Sequence, residues 1–187
     1  MYYDVLTRSR LNAGDAEAAI RAGLQAITLY RAADQATDVA ILENELAMVF
    51  ISLGNTDRAA ELVARARETA EAVGDRRLVG HLLDTQASIA LAKGNPADAL
   101  PLAERSLEIE AEVGPANEQI GARISRARAL GALGRDDEAD RAWEEAAAGA
   151  RQLQSPFQRK RILSAYAEAL AAQGRHADAY EVMRETL

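Results

Sequence analysis

Residues that could carry out catalysis are few in this 187-residue chain, and they lie far apart. Neither of the two histidines, His81 and His176, belongs to a zinc-binding His-Glu-x-x-His pattern. The chain has no Cys, no nucleophile-elbow motif and no glycine-rich loop that would hold a phosphate. His81 and Asp84 stand one helical turn apart, where a pair could share a metal ion, but a solvated helix face is the interpretation that we prefer. We therefore expect no enzyme activity, no cofactor and no metal site.

Clusters of charge are explained without catalysis. The run Asp136-Asp137-Glu138 opens a predicted helix, where acidic side chains complement the helix dipole. Basic residues gather at 123–128 and 159–161, but no aromatic side chains interleave with them and the net charge is −7. We expect these stretches to be solvated helix faces, with a local acceptor site for an acidic partner as the alternative. Nucleic-acid binding is not expected.

The composition favours closely packed helices. Of the 187 residues, 42 are Ala, whereas aromatic residues make up only 4%. Ala is the best helix former, and its small side chain lets helix axes approach closely. The N-terminal residues lack the basic and apolar pattern of a signal peptide, and no window is long and apolar enough to cross a bilayer. We expect a cytoplasmic protein that does not associate with membranes.

An internal repeat of forty residues organises the chain. Gly recurs at this spacing, and Ala stands five residues after each of these glycines. Further small residues stand seven before and twelve after the glycines, where two helices would cross. A Gly after an amphipathic run ends one helix, and the polar residues beside it start the next. The glycines are Gly14, Gly54, Gly94, Gly134 and Gly174, and the alanines are Ala19, Ala59, Ala99, Ala139 and Ala179.

Each repeat unit is predicted to hold two antiparallel helices, because a second break falls twenty residues after each Gly. Pairs joined by short turns favour a right-handed solenoid with one concave and one convex face. We predict an all-α fold of five helix pairs in a single domain over 1–187. The predicted first helices are 2–13, 36–53, 76–93, 116–133 and 156–173; the second helices are 15–33, 56–73, 96–113, 136–153 and 175–187. The repeat units are 1–34, 35–74, 75–114, 115–154 and 155–187.

The pattern of small residues around a turn resembles the tetratricopeptide repeat, and the resemblance covers the whole chain. Trp143 stands four residues after Ala139, as the signature of that family requires, and Val63 and Met183 stand at equivalent positions. The period of forty differs from the usual thirty-four, and the second helix lacks a final Pro. Arrays with this longer period resemble those of bacterial signalling proteins. HEAT-type repeats have a compatible period but do not explain the Gly and Ala columns.

The resemblance implies that the first helix of each pair lines a concave groove that binds a partner. The groove positions lie thirteen, ten and six residues before each Gly. The Lys and Asn clamp of chaperone-binding members is absent apart from Asn44, so binding of a chaperone tail is not expected. A mixed polar lining suits an extended peptide or a partner helix. The candidate partner-binding residues are Ile41, Asn44, Met48, His81, Asp84, Ser88, Ile124, Arg128, Arg161, Ser164 and Glu168.

These features lead to two hypotheses about function. The first is a protein–protein interaction scaffold, the sensory or regulatory domain of a bacterial signal-transduction protein, in which a bound protein or peptide controls an attached output domain. Because neither end of the pattern carries a polar capping helix, we expect the chain to be a segment of a longer protein. The alternative is a free-standing adaptor that forms a homodimer through its terminal helices.

Overall fold

The computed structural model describes residues 15–113 and 119–186, and this part of the chain consists of helices joined by short turns. The predicted first helix at 2–13 and the predicted break at Gly114-Pro115 lie outside these ranges. The described helices agree with the predicted bounds to within a few residues. They are α1 (Ala16–Ala32), α2 (Ala36–Ser52), α3 (Thr56–Val73), α4 (Arg76–Ala92), α5 (Pro96–Val113), α6 (Ile120–Ala132), α7 (Asp136–Arg151), α8 (Pro156–Ala172) and α9 (His176–Arg184).

In each helix pair whose turn the structure describes, the turn depends on a left-handed backbone. Gly54, Gly94, Gly134 and Gly174 have φ between 72 and 78°, a conformation that an L side chain rarely adopts. The helix that follows Gly54 is capped by a polar side chain, whereas α7 and α9, which follow Gly134 and Gly174, have no side-chain cap. Asn55 accepts a hydrogen bond from the Arg58 amide through its side-chain oxygen at 3.3 Å. These local signals explain why the helix bounds follow from the sequence.

The small-residue columns lie at the helix crossings, as predicted. Ala59, Ala99 and Ala139 are buried in the second helices, and Ala47 and Ala87 are buried in the first helices. A larger side chain at these positions would force the two axes apart. The predicted helical-hairpin solenoid is therefore confirmed, and the small side chains are what allow its close packing.

Two buried apolar clusters form most of the core. One extends over α1 to α4 and includes Leu46 and Leu62, and the other extends over α4 to α9. Trp143 belongs to the second cluster, where its ring stacks on that of Tyr166 with centroids 5.8 Å apart. The interpretation of Trp143 as a core residue rather than a ligand platform agrees with this position.

The solenoid has an inner and an outer layer. Among the first helices of the pairs, α2 contacts α4 and α4 contacts α6. Among the second helices, α3 and α5 do not touch within the described part of the chain. Elements that approach each other more closely lie on the inside of a curved array. We call the accessible surface of α2, α4, α6 and α8 the inner face.

Candidate functional site

The eleven candidate residues all lie on the helices of the inner face. Because the repeat is forty residues long, they fall into three rows that run across successive helices. None of them is fully buried, so each is accessible to some degree. The rows are Ile41, His81 and Arg161; Asn44, Asp84, Ile124 and Ser164; and Met48, Ser88, Arg128 and Glu168.

A cavity opens between α2 and α4 at one end of this face. Its volume is about 360 Å³, which lies at the small end of the range for ligand sites. Three of the candidates line it, and four further residues do so that the sequence reasoning did not single out. The lining consists of Ile41, Asn44 and His81, together with Glu45, Asp75, Arg77 and Leu78.

Next to the cavity, Asp84 lies in a polar cluster that bridges α4 and α6. The Ser125 hydroxyl donates a hydrogen bond of 2.5 Å to Asp84 Oδ1, and Ser88 Oγ lies 3.4 Å from Ser125 Oγ. Burial raises the pKa of Asp84 to about 6, and the nearby Glu110 carboxylate acts in the same direction. The Ser125 hydrogen bond and the positive charges of His81 and Arg128 oppose that rise in pKa. Asp84 is therefore half-buried in this cluster, whereas the preferred interpretation from the sequence placed it on a solvated face.

His81 joins the same cluster from the other side. Its Nδ1 lies 3.3 Å from Oε1 of Glu110, a residue of α5 whose side chain is only 2% exposed. Glu110 is not among the residues predicted from the sequence, because nothing in its neighbourhood along the chain indicates that a carboxylate is buried there. His81 therefore lines the cavity and also contacts a buried carboxylate of the neighbouring helix.

Two glycines on the first helices make room for these carboxylates. A Cβ atom at residue 121 would stand 2.6 Å from Asp84 Oδ2, which is closer than such atoms can approach. A Cβ atom at residue 80 would stand 3.2 Å from Cγ of Glu110. Gly80 and Gly121 therefore serve close packing around the polar cluster and differ from the glycines that end helices.

The far end of the inner face has a different character. Ile124 is partly buried and packs against the core, so it contributes less surface than its row suggests. Arg128, Arg161 and Glu168 are exposed, and Ser164 is half-buried. This end is therefore polar and open, whereas the cavity lies at the other end.

The sequence reasoning also missed a second buried carboxylate, Glu43 on α2, which is 2% exposed. Its Oε1 accepts hydrogen bonds from Arg31 Nη2 at 2.9 Å and from Arg65 Nε and Nη2 at 3.1 and 2.9 Å. Two cations thus compensate one buried charge. Glu43 is explained as an internal link between α1, α2 and α3.

Sequence comparison agrees with the repeat structure. Two family models, both described as tetratricopeptide repeat, match the chain, one at residues 38–111 and the other at residues 120–145 and 161–185. The class that the fold defines is a helical-hairpin solenoid. The chain is a tetratricopeptide repeat protein.

Solved structures of similar fold cover almost the whole chain. A Rap protein complexed with Competence and Sporulation Factor aligns with a TM-score of 0.87 at 15% identity, over 99% of this chain and 52% of that one. A putative kinesin light chain with TPR-like repeats from Podosopora anserina aligns with a TM-score of 0.66 at 20% identity, over 99% of this chain and 92% of that one. BtubC from P. vanneervenii aligns with a TM-score of 0.70 at 18% identity, over 98% of this chain and 76% of that one.

A search of proteins of curated function finds no match to the chain. In residues 15–113 and 119–186, no group of three or more His, Cys, Asp or Glu side chains is arranged to hold a metal ion. None of the described helices is long and apolar enough to cross a membrane.

Proposed function

We propose that the chain binds a protein or peptide partner along the inner face, as the sensory or regulatory domain of a bacterial signal-transduction protein in the cytoplasm. The observation that carries this proposal is a contrast within the repeat itself. The buried column of Ala59, Ala99, Ala139 and Ala179 keeps one residue type, whereas the accessible row of Asn44, Asp84, Ile124 and Ser164 changes at every helix. Packing explains the constant column, and a partner with distinct side chains explains the varied row.

The class of protein supports this proposal. Tetratricopeptide arrays are protein–protein interaction scaffolds and are typically non-catalytic. Among the structures of similar fold, the Rap protein is complexed with Competence and Sporulation Factor. Another, from Pyrococcus horikoshii, is a signal transduction ATPase with a tetratricopeptide repeat sensor; it aligns with a TM-score of 0.61 at 15% identity, over 96% of this chain and 31% of that one.

The mechanism that we propose is binding followed by a change of shape. The first helices α2, α4 and α6 touch in succession along the inner face, so a partner that bridges them alters the spacing between these pairs. In a solenoid, small changes of this kind add up along the array. An attached output domain then responds to the altered curvature.

The test uses peptides selected from a random library for binding to the purified chain. The variant Asn44→Ala/Asp84→Asn/Arg128→Ala is expected to weaken their binding about tenfold or more, because it removes two polar side chains of the inner face and the charge of a third. The control variant Gln25→Ala/Arg141→Ala/Glu144→Ala changes exposed residues of the second helices and is expected to bind as the parent does. Unchanged affinity in the first variant, with native circular dichroism, would contradict the assignment of the inner face.

Self-association is a second candidate function, supported by α9. Met183 is 39% exposed, whereas the residues at its repeat position, Val63, Ala103 and Trp143, are buried. Tyr180 on the same helix is 65% exposed. A homodimer through α9 predicts that the mass in light scattering rises with concentration and that Met183→Lys abolishes this rise. Leu170 also lies near this end of the array, but it is only 1% exposed, so a charge there would disrupt the core and would not test association.

A further inference from the structure

Buried oxygens near the cavity accept no hydrogen bond within the described part of the chain, and the oxygens of two residues matter here. They are Oδ1 of Asn44, which lines the cavity, and Oε2 of Glu110. His81 connects the two, since it lines the cavity and its ring contacts the other oxygen of Glu110. Buried acceptors are normally matched by donors, because water has been removed from them. What this region lacks is therefore a hydrogen-bond donor.

The repeat itself shows that the fold does not require Glu110. Forty residues before and after it stand Ala70 and Ala150, both fully buried. Ala is thus the residue that packs at this position, and Gly80 provides the space that the larger Glu110 needs. A carboxylate at a site where packing favours Ala points to a role outside packing.

The charges around the cavity favour a cation. Glu45 and Asp75 line it, and Glu110 and Asp84 lie behind His81. The positive groups are Arg77 in the lining, together with Arg128 and His81, both of which act on Asp84. The acidic groups outnumber the basic ones, so the region attracts a positively charged group.

We propose that this cavity receives a basic side chain of the partner, whose guanidinium or primary ammonium group donates hydrogen bonds to the acceptors around Asn44 and is attracted by the Glu110 carboxylate. This inference rests on the proposed function and names the chemistry of one contact on the inner face. A guanidinium group suits the site well, because it carries five N–H donors and no acceptor. Its charge also strengthens each hydrogen bond to an oxygen.

The experiment is an NMR titration of the full chain with N-acetyl-L-arginine amide. N-acetyl-L-citrulline amide is the matched probe, since its urea group has a similar shape but no charge. We expect the arginine probe to shift the Asn44 side-chain amide and the His81 ring signals in a saturable way, and N-acetyl-L-lysine amide to shift the same signals. The citrulline probe is expected to bind at least tenfold more weakly.

Two variants test the residues of the cavity. Glu110→Ala places the residue type of Ala70 and Ala150 at this position, so it should fold, and it is expected to weaken binding of the arginine probe about tenfold. Asn44→Leu is expected to weaken it as well. Gln25→Leu makes the same kind of change at an exposed position of α1, outside the inner face, and is expected to leave the affinity unchanged.

Three results would overturn the inference: equal binding of the arginine and citrulline probes, signal changes away from the cavity, or full affinity in Glu110→Ala. The proposed function can fail separately. If library peptides bind the inner face but need no basic residue, the function stands and the cavity inference falls. If the arginine probe binds in the cavity while no peptide binds the chain, the cavity inference stands and the function falls.

Discussion

Asp84 illustrates how a single residue couples the inner face to stability. Burial is the main cause of its raised pKa of about 6, compared with the usual 3.8. Between these two values the folded chain holds a proton that the unfolded chain releases. The contribution of Asp84 to the free energy of unfolding therefore decreases as the pH rises from about 4 to about 6, and the loss persists at neutral pH.

Replacing Asp84 with Asn should remove this pH dependence. The Asn side chain can still accept the Ser125 hydrogen bond, but it cannot ionise. We expect Asp84→Asn to be more stable than the parent by about 1–3 kcal/mol at pH 7, and equal to it near pH 4. Urea unfolding of both proteins at the two pH values measures the difference, in which the other titrating groups cancel.

The exposed Glu144 on α7 offers a control for Asp84→Asn. Glu144→Gln removes one negative charge without touching the polar cluster, and its effect at pH 7 should stay within about 0.5 kcal/mol. A gap between Asp84→Asn and the parent that is the same at both pH values would disprove the explanation by ionisation.

At the scale of elements, the break between successive helix pairs is made in more than one way. Gly74 ends α3 with φ of 73°, and Asp34 takes a left-handed φ of 57° at the equivalent position after α1. A residue with a Cβ atom is strained in this conformation, although Asp tolerates it better than most. The forty-residue pattern therefore indicates where a helix ends but not which residue type ends it.

The strain at Asp34 leads to a prediction for this turn. Asp34→Gly should raise the free energy of unfolding by up to about 1 kcal/mol, because Gly adopts the left-handed region without a steric cost. Gly74→Ala should lower it by about 1–2 kcal/mol for the same reason. Thermal and urea unfolding measure both changes. If the two variants shift stability in the same direction, the backbone conformation is not what governs these turns.

At the scale of the whole molecule, stability is distributed along the array. Each described helix contacts its neighbours in sequence, and α4 also contacts α2 and α6, the first helices of the adjacent pairs, so the two ends of the described array do not touch. In such a solenoid, damage at one end reaches the other only through the interfaces between repeats. The core is divided in a similar way, because one cluster lies in α1 to α4 and the other in α4 to α9.

A core substitution at one end should therefore act mainly on that end. Leu46, fully buried in the cluster of α1 to α4, should cost about 2–5 kcal/mol when replaced by Ala. We expect Leu46→Ala to reduce hydrogen-exchange protection in α1 to α3 more than in α7 to α9. The fluorescence of Trp143, the sole Trp of the chain, should change at a higher urea concentration than the helical circular dichroism.

The reverse experiment uses Leu163, which is fully buried in the other cluster. Leu163→Ala should reduce protection in α7 to α9 first and bring the Trp143 transition to lower urea concentrations. If either variant lowered protection equally over all nine described helices, the array would unfold as one cooperative unit.

The sequence by itself determined the helices, their pairing and the tetratricopeptide class. Those features depend on local signals: a Gly that ends a helix, a polar cap that starts one, and small residues at a constant spacing. The same spacing was enough to place Asn44 and His81 on the helices of the inner face, in neighbouring rows.

Only the tertiary structure decided how the polar groups of the inner face are paired and buried. Glu110 meets His81 from another helix, and Asp84 meets Ser125 from the next repeat, at separations that no local pattern encodes. Whether a side chain can be buried depends on the space that the neighbouring helices leave. Here Gly80 and Gly121 leave space for Glu110 and Asp84. Since burial sets the charge state of Asp84 and the unmet hydrogen bond of Glu110, the chemistry of this face follows from packing between repeats.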